Sequence, residues 1–268
     1  MYSDPYKDIY PAIELALRDL VSEDDTYHKT HLRRIARTLQ VFLDQKPKGK
    51  VLEVGTGGIV PLALKSLAPE LEVVVTDFNK STTKTHTYSP TINGISGDFE
   101  AFNLDLEYDN VPVEDNTFDW ILCCEVIEHM EIDPMFMMSE LNRVAKYKAG
   151  LLITTPNIVS SQALTKMMYG LEPHFYMQYH PTREYNRHNY EYSIHSLMQV
   201  IKAAGFDGSI WTEDNFEDGM TDVPNRLRSA GFNIQHIGDN IMTVAHKVSE
   251  VVDRHPKAIY DISGVWKK

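Results

Sequence analysis

The sequence predicts an α/β chain built on a doubly wound, mostly parallel sheet. Short β-branched or apolar runs, "KVLEV", "LEVVVTD", "FEAFNLD", "FDWILCC" and "GLLITTP", alternate with helical patterns. Parallel neighbours need a crossover connection, so strands spaced by helices imply βαβ units. The first four runs also carry a carboxylate at or near their carboxyl ends, namely Glu53, Asp77, Asp105 and Glu125. Open α/β sheets bind ligands at that edge.

The elements follow in order. Residues 1–46 form an N-terminal helical extension with two patterns, "IYPAIELALRDLV" and "THLRRIARTLQVFLD". In the second, Leu32, Ile35, Ala36, Leu39 and Leu43 recur at the spacing of one buried stripe. "QKPKGK" breaks the chain, and residues 47–250 form the sheet domain. Its fourth strand is followed by a helix with Asp133 as N-cap, Pro134 at the first position and Phe136, Met137, Leu141 and Val144 on one face. A segment over 157–192 is too long for an ordinary connection and carries His174, His180, His188 and many tyrosines, which suits a lid inserted after the fifth strand. A helix from Ser193 then runs to a Gly205 stop, "IMTVAHKV" reads as a last strand, and 251–268 form a tail.

With 268 residues, 43% of them apolar, the chain can bury a substantial core. A net charge of -12 disfavours binding to a phosphate backbone or an anionic membrane, and the densest basic patch, "HLRRIAR", reads as one face of a helix. The only two cysteines, Cys123 and Cys124, are strand neighbours pointing to opposite faces, so they are expected as free thiols in a reducing compartment. The start lacks the composition of a secretory signal, and no run of about 18 apolar residues occurs. A cytoplasmic location is the expectation.

"VLEVGTGGIV" places Glu53, Gly55, Gly57 and Gly58 at the turn between the first strand and its helix, where glycines let a ligand approach the main chain. Asp77 ends the second strand beside the same crevice, placed to accept from the hydroxyls of a ribose. A nicotinamide dinucleotide is the competing ligand, but its G-x-G-x-x-G pattern needs a small residue where Val60 stands, followed here by Pro61.

From the glycine turn to "AAGF", roughly residues 48 to 206, the sequence resembles the class I S-adenosylmethionine-dependent methyltransferases. "LEVGTGG" is similar to their first motif and "FDWILCCEVIEH" to their fourth strand and following turn. The resemblance implies a Rossmann-like methyltransferase sheet and S-adenosyl-L-methionine as cofactor. It implies a donor site in which Glu53, Gly55 and Gly57 border the methionine part and Asp77 takes the ribose. Phe78, Asp105 and Leu106 would take the adenine, with Glu125 at the fourth strand tip. One departure is Ile59, where the family often has a third glycine.

"EVIEH" admits two readings. In a helical turn Glu125, Glu128 and His129 stand at i, i+3 and i+4 on one face, a donor set for Mg²⁺, Mn²⁺, Fe²⁺ or Zn²⁺. Alternatively the glutamates only favour a helix N-terminus and the histidine is a hydrogen-bonded edge residue. "EVIEH", "TPN" and "RHNYEYS" together resemble the small-RNA 3'-terminal 2'-O-methyltransferases, and "EVIEH" alone the ubiquinone-pathway O-methyltransferases. This resemblance implies a divalent site of Glu125, Glu128, His129 and His188. Such an ion would lower the acceptor's pKa, with His188 as the fourth ligand or, with no metal bound, as general base, so His129 and His188 are the expected catalytic residues.

Methyl transfer from a sulfonium is an in-line displacement, and an alcohol acceptor must also lose its proton. The expected activity is O-methylation of a hydroxylated small molecule or sugar. RNA 2'-O-methylation and a non-catalytic donor-binding subunit are the alternatives, and the acidity of the chain disfavours the first.

Overall fold

Alternating apolar runs set a strand on the sheet, and the faces they leave apolar decide where the helices pack. The computed structural model describes residues 6, 8–22, 24–79, 83–173, 187–215 and 222–260. His174 and His180 lie outside the described residues. The elements run α1 (Pro11–Leu20), α2 (Thr26–Asp44), β1 (Lys50–Val54), α3 (Ile59–Leu67), β2 (Glu72–Asp77), β3 (Thr85–Tyr88), β4 (Thr91–Ile92), β5 (Ile95–Ser96), β6 (Phe99–Asn103) and β7 (Phe118–Cys124). A 3-10 turn (Ile127–His129) precedes α4 (Pro134–Val144), β8 (Ala145–Pro156), α5 (Ser161–Met168), α6 (Ile194–Ala203), β9 (Phe206–Glu213), α7 (Asp222–Ser229) and β10 (Asn240–Lys247).

The main sheet has eight strands in the order β3-β6-β2-β1-β7-β8-β10-β9. The pairs β6-β2, β2-β1, β1-β7 and β7-β8 are parallel, while β10 lies antiparallel between β8 and β9 and β3 lies antiparallel on the β6 edge. The strand order reverses between β1 and β7, so their carboxyl ends diverge and open a crevice.

Strand alternation divides the core. Leu52, Val54, Val74, Ile121, Cys123, Leu151 and Ile153 pack with α4 and α6 on one face. Val51, Val75, Trp120, Leu122 and Leu152 pack with α1, α2 and α3 on the other. Cys123 and Cys124 are free and belong to opposite faces, as neighbours on a strand must. At about 25 cal/mol per Å² of apolar area, the burial on both faces is the main force holding the three layers together.

Local sequence explains the boundaries. Asp133 accepts the Phe136 N–H at 3.2 Å and caps α4, with Pro134 following. Met137, Leu141 and Val144 are buried as expected, while Phe136 is only half-buried and Met135 and Met138 complete the buried face of α4. Gly205 ends α6 at φ 85°, a left-handed value that glycine adopts without strain. Besides β4 and β5, a separate two-stranded sheet of two-residue strands, two strands of the main sheet were not expected from the sequence, β3 and β9. Both lie at sheet edges, where one side is open and no continuous apolar run is needed.

The long connection after β8 is stitched down at its far end. Asn157 and Tyr192 form a parallel bridge, and the Ile158 N–H donates to the Tyr192 carbonyl at 2.9 Å. The Asn189 and Tyr190 N–H groups both donate to the Glu128 carbonyl, at 2.7 and 3.2 Å. These bonds carry residues 187–192 across the tips of β7 and β8.

Candidate active site

A cleft of about 430 Å³ opens at the carboxyl ends of the parallel strands. Gly55, Phe78, Asp105, Leu106, Glu125 and His129 line it, all residues singled out in the sequence, together with Leu104, Glu107, Val126, Arg187 and Asn189. Glu53, Gly57, Asp77, Glu128 and His188 do not line it.

The donor end begins at the glycine turn. Gly55 has φ 72°, and a Cβ there would meet Val126 Cγ2 at 2.8 Å, so both its conformation and its surroundings call for glycine. Thr76 fastens the turn to the neighbouring strand: its hydroxyl accepts the Gly55 N–H at 2.9 Å and its carbonyl the Thr56 N–H at 2.8 Å. Two carboxylates lie close behind. Glu53 is buried, and burial, opposed by a hydrogen bond from Thr56, pushes its carboxyl up to about 7. Its Oε2 and the Oδ1 of Asp77 are buried without a hydrogen-bond partner among the described residues. Buried acceptors left open in this way suit a ligand that brings donors or positive charge. The S-adenosyl donor has both, in its ribose hydroxyls, amino group and sulfonium. Phe78 is 49% exposed at the rim of the cleft, an aromatic of the kind that packs on an adenine.

Beyond β7 the backbone does not form the helical turn anticipated for "EVIEH". Glu125 takes a left-handed conformation, φ 56°, and only Ile127–His129 wind into a 3-10 turn. Such a conformation costs about 1–3 kcal/mol for a non-glycine residue and is held only where its surroundings enforce it. Here they do. The Glu125 N–H donates to the Thr154 carbonyl at 2.8 Å, and Oε1 accepts from Thr154 Oγ1 and Asn240 Nδ2, each at 2.8 Å. Oε2 accepts from Arg34 Nη1 at 2.5 Å.

The consequence is a division of the expected ligand set. Glu128, His129 and His188 each bring one ligand atom within 4.8 Å of the others, and Glu125 stands outside that group. Glu128 is fully buried, with Oε2 accepting from Thr155 Oγ1 at 2.9 Å and Oε1 without a hydrogen-bond partner among the described residues. Burial and then the Glu125 charge raise its carboxyl well above the ordinary range, so its ionised form calls for a cation. His129 Nδ1 lies 3.0 Å from the Arg187 carbonyl and His188 Nδ1 3.0 Å from Glu191 Oε1. A histidine that donates through Nδ1 keeps its Nε2 lone pair, the form that binds a metal or takes a proton. His129 Nε2 is 4.0 Å from Glu128 Oε1, and the two imidazole rings are 5.0 Å apart. Burial lowers the His129 pKa from its ordinary value. A carboxylate and two imidazoles could hold a divalent ion of intermediate hardness.

Two functional residues escaped sequence reading. Arg34 belongs to "HLRRIAR", expected only as one face of a helix; it is 9% exposed and pairs with Glu125. Burial opposes its charge, but Glu125, Tyr27 and Glu128 outweigh that, and its pKa is raised. Its only sequence signal is a position beside the apolar stripe. Glu107 accepts the N–H groups of Glu131, Ile132 and Asp133 at 3.0, 2.6 and 2.7 Å, fixing the loop at the cleft wall.

Among the described residues no helix is long and apolar enough to cross a membrane.

Comparison with known proteins identifies the family. Residues 27–209 match the family model described as a methyltransferase domain. No curated protein sequence matches the chain. Among solved structures, an S-adenosylmethionine-dependent methyltransferase from Archaeoglobus fulgidus superposes with a TM-score of 0.53 at 19% identity, covering 82% of this chain and 97% of its own. One from Thermotoga maritima, described as a possible histamine N-methyltransferase, gives 0.53 at 16% identity over 87% and 99% of the two chains. Strand order, glycine turn, open strand-tip carboxylates and the matched family model lead to one conclusion: the chain belongs to the methyltransferase-domain family and is an S-adenosylmethionine-dependent methyltransferase of the class I fold.

Proposed function

We propose that the enzyme methylates a hydroxyl of a small molecule or sugar, with a divalent ion held by Glu128, His129 and His188. The observation that carries this reading is the buried, unpartnered Oε1 of Glu128 beside two imidazoles tied through Nδ1. An amine is nucleophilic once neutral and sheds its proton to a nearby carboxylate or water, whereas a hydroxyl needs its much weaker acidity raised as it reacts, which a metal and an imidazole serve.

In this reading Asp77 binds the donor ribose, Phe78 and Leu106 flank the adenine, and the open backbone at Gly55 borders the methionine part. The bound donor supplies an electrophilic methyl on a sulfonium, and a divalent ion would supply Lewis-acid polarisation of the accepting oxygen. Glu191, buried and 3.0 Å from His188 Nδ1, orients that imidazole so that Nε2 faces the site, as a ligand when the ion is bound and as the base that takes the acceptor's proton when it is not. Arg187 and Asn189, which line the cleft with Phe78, would limit water around the reacting atoms. The net charge of -12 supports a small-molecule partner over RNA. The free cysteines support work in a reducing compartment.

The test is thermal melting with Mn²⁺ and Mg²⁺. A ligand that binds only the folded state stabilises by about 2.7 kcal/mol at a hundredfold excess over Kd, and Mn²⁺ should raise the midpoint accordingly. Glu128→Gln should abolish that rise while S-adenosylhomocysteine binding changes less than about twofold. An undiminished Mn²⁺ response in the variant defeats the assignment.

A further inference from the structure

The donor site has a wall that no part of the proposed chemistry has used. β3 closes the β6 edge of the sheet in antiparallel register, with His86 opposite Ala101 and Tyr88 opposite Phe99. Alternate residues of a strand share a face, and in "THTY" His86 and Tyr88 are half-buried while Thr85 and Thr87 are exposed.

Both half-buried residues face the donor end. His86 Nε2 stands 3.2 Å from Asp77 Oδ2, which also accepts from Asn79 Nδ2 at 3.1 Å. Asp77 Oδ1, by contrast, is buried and takes no hydrogen bond among the described residues. The Tyr88 hydroxyl reaches the glycine turn, since a Cβ on Gly58 would lie 3.0 Å from it. Pro90 and Ile92, from the β4 side, would meet the same Cβ at 3.1 and 3.5 Å. Burial and then the charges of Glu53 and Asp77 raise the Tyr88 hydroxyl above its ordinary value, which puts the phenol within electrostatic reach of both carboxylates. The two oxygens of Asp77 are therefore unequal: Oδ2 faces His86 of the edge strand as well as Asn79, and Oδ1 faces neither.

We propose that β3 is a wall of the donor site and that His86 is a positioning residue, occupying Oδ2 of Asp77 so that Oδ1 is the oxygen left to accept from the donor's ribose. This rests on the reading of Asp77 as the ribose carboxylate. His86 acts through Asp77 and has no role apart from it.

The experiment is isothermal titration of the full chain with S-adenosylhomocysteine, comparing wild type, Asp77→Asn, His86→Leu, His86→Gln and the double variant His86→Leu/Asp77→Asn. Asp77→Asn should weaken binding about tenfold or more and His86→Leu about fivefold, the scale of a coupling between contacting groups. His86→Gln, which keeps a nitrogen within reach, should stay within about twofold of wild type, and His86→Leu should add nothing on the Asp77→Asn background. A merely structural role would lower affinity equally on both backgrounds. His86→Leu at wild-type affinity, or an undiminished effect on the Asp77→Asn background, overturns the proposal alone. Wild-type affinity in Asp77→Asn overturns the ribose reading and the proposal with it.

Discussion

The two clusters of residues that border the cleft are built by different means. At the donor end, the turn residues and carboxylates come from consecutive strand tips, so Glu53, Gly55 and Asp77 are placed by the sheet itself. At the Glu128–His129–His188 end, the groups come from segments some 60 residues apart, joined by the Glu128 carbonyl, which accepts from Asn189 and Tyr190, and by the Asn189 side chain on the His129 carbonyl. Sheet register fixes the first end, and a few hydrogen bonds and one ion pair fix the second. The second should therefore be the easier to disturb without losing the fold.

The largest expected effect tests that ion pair. Arg34→Met leaves Glu125 charged and 14% exposed without its cation, and removing one partner of a buried pair costs about 3–5 kcal/mol. Urea unfolding should show that loss, with much of it recovered in Arg34→Met/Glu125→Gln. An effect below about 1 kcal/mol would mean that the register of β7 and β8 alone holds Glu125.

The next effect lies at the donor end and carries a pH signature. The Glu53 carboxyl titrates near 7 in the folded chain against an ordinary 4.5. A carboxyl raised on folding binds its proton more tightly in the native state, so stability declines as pH rises from about 4.5 to about 7 and is level beyond. Glu53→Gln should match wild type at pH 4 and exceed it at pH 8 by on the order of 3 kcal/mol, the equivalent of that shift. Chemical denaturation at the two pH values measures it. Equal stability of the two proteins at pH 8 would show that Glu53 is solvated and that the donor end is not poised for a cation.

The smallest concerns the stitch between the halves of the cluster. Asn189→Ala removes the 2.9 Å bond to the His129 carbonyl but keeps the backbone bonds to Glu128, and should cost about 1 kcal/mol. Its sharper readout is Mn²⁺ affinity, expected to fall while S-adenosylhomocysteine affinity holds.

These two modes of construction also explain what the amino-acid pattern disclosed. β1, β2, β6, β7 and the end of β8 lie in the middle of the sheet, and their buried faces force the apolar runs that made them readable. "FDGSIWTE" and "THTY" lie at the edges, so β9 and β3 carried no comparable run. His129 and Glu128 stood out as residue types in one short motif. Their separation from Glu125 did not, because it follows from a left-handed residue and an arginine contributed 91 positions away. Spacing along a chain carries no information about which distant cation reaches a carboxylate first.

The place of Arg34 on α2 has a practical side. A protein engineer trimming this enzyme to its sheet, or grafting the sheet behind another leader, would discard the helix that neutralises the fourth strand tip. Such a chimera would keep every motif that defines the family and still harbour an unmatched negative charge at the heart of its cleft. The boundary for a working core therefore falls before Thr26, well upstream of the first strand.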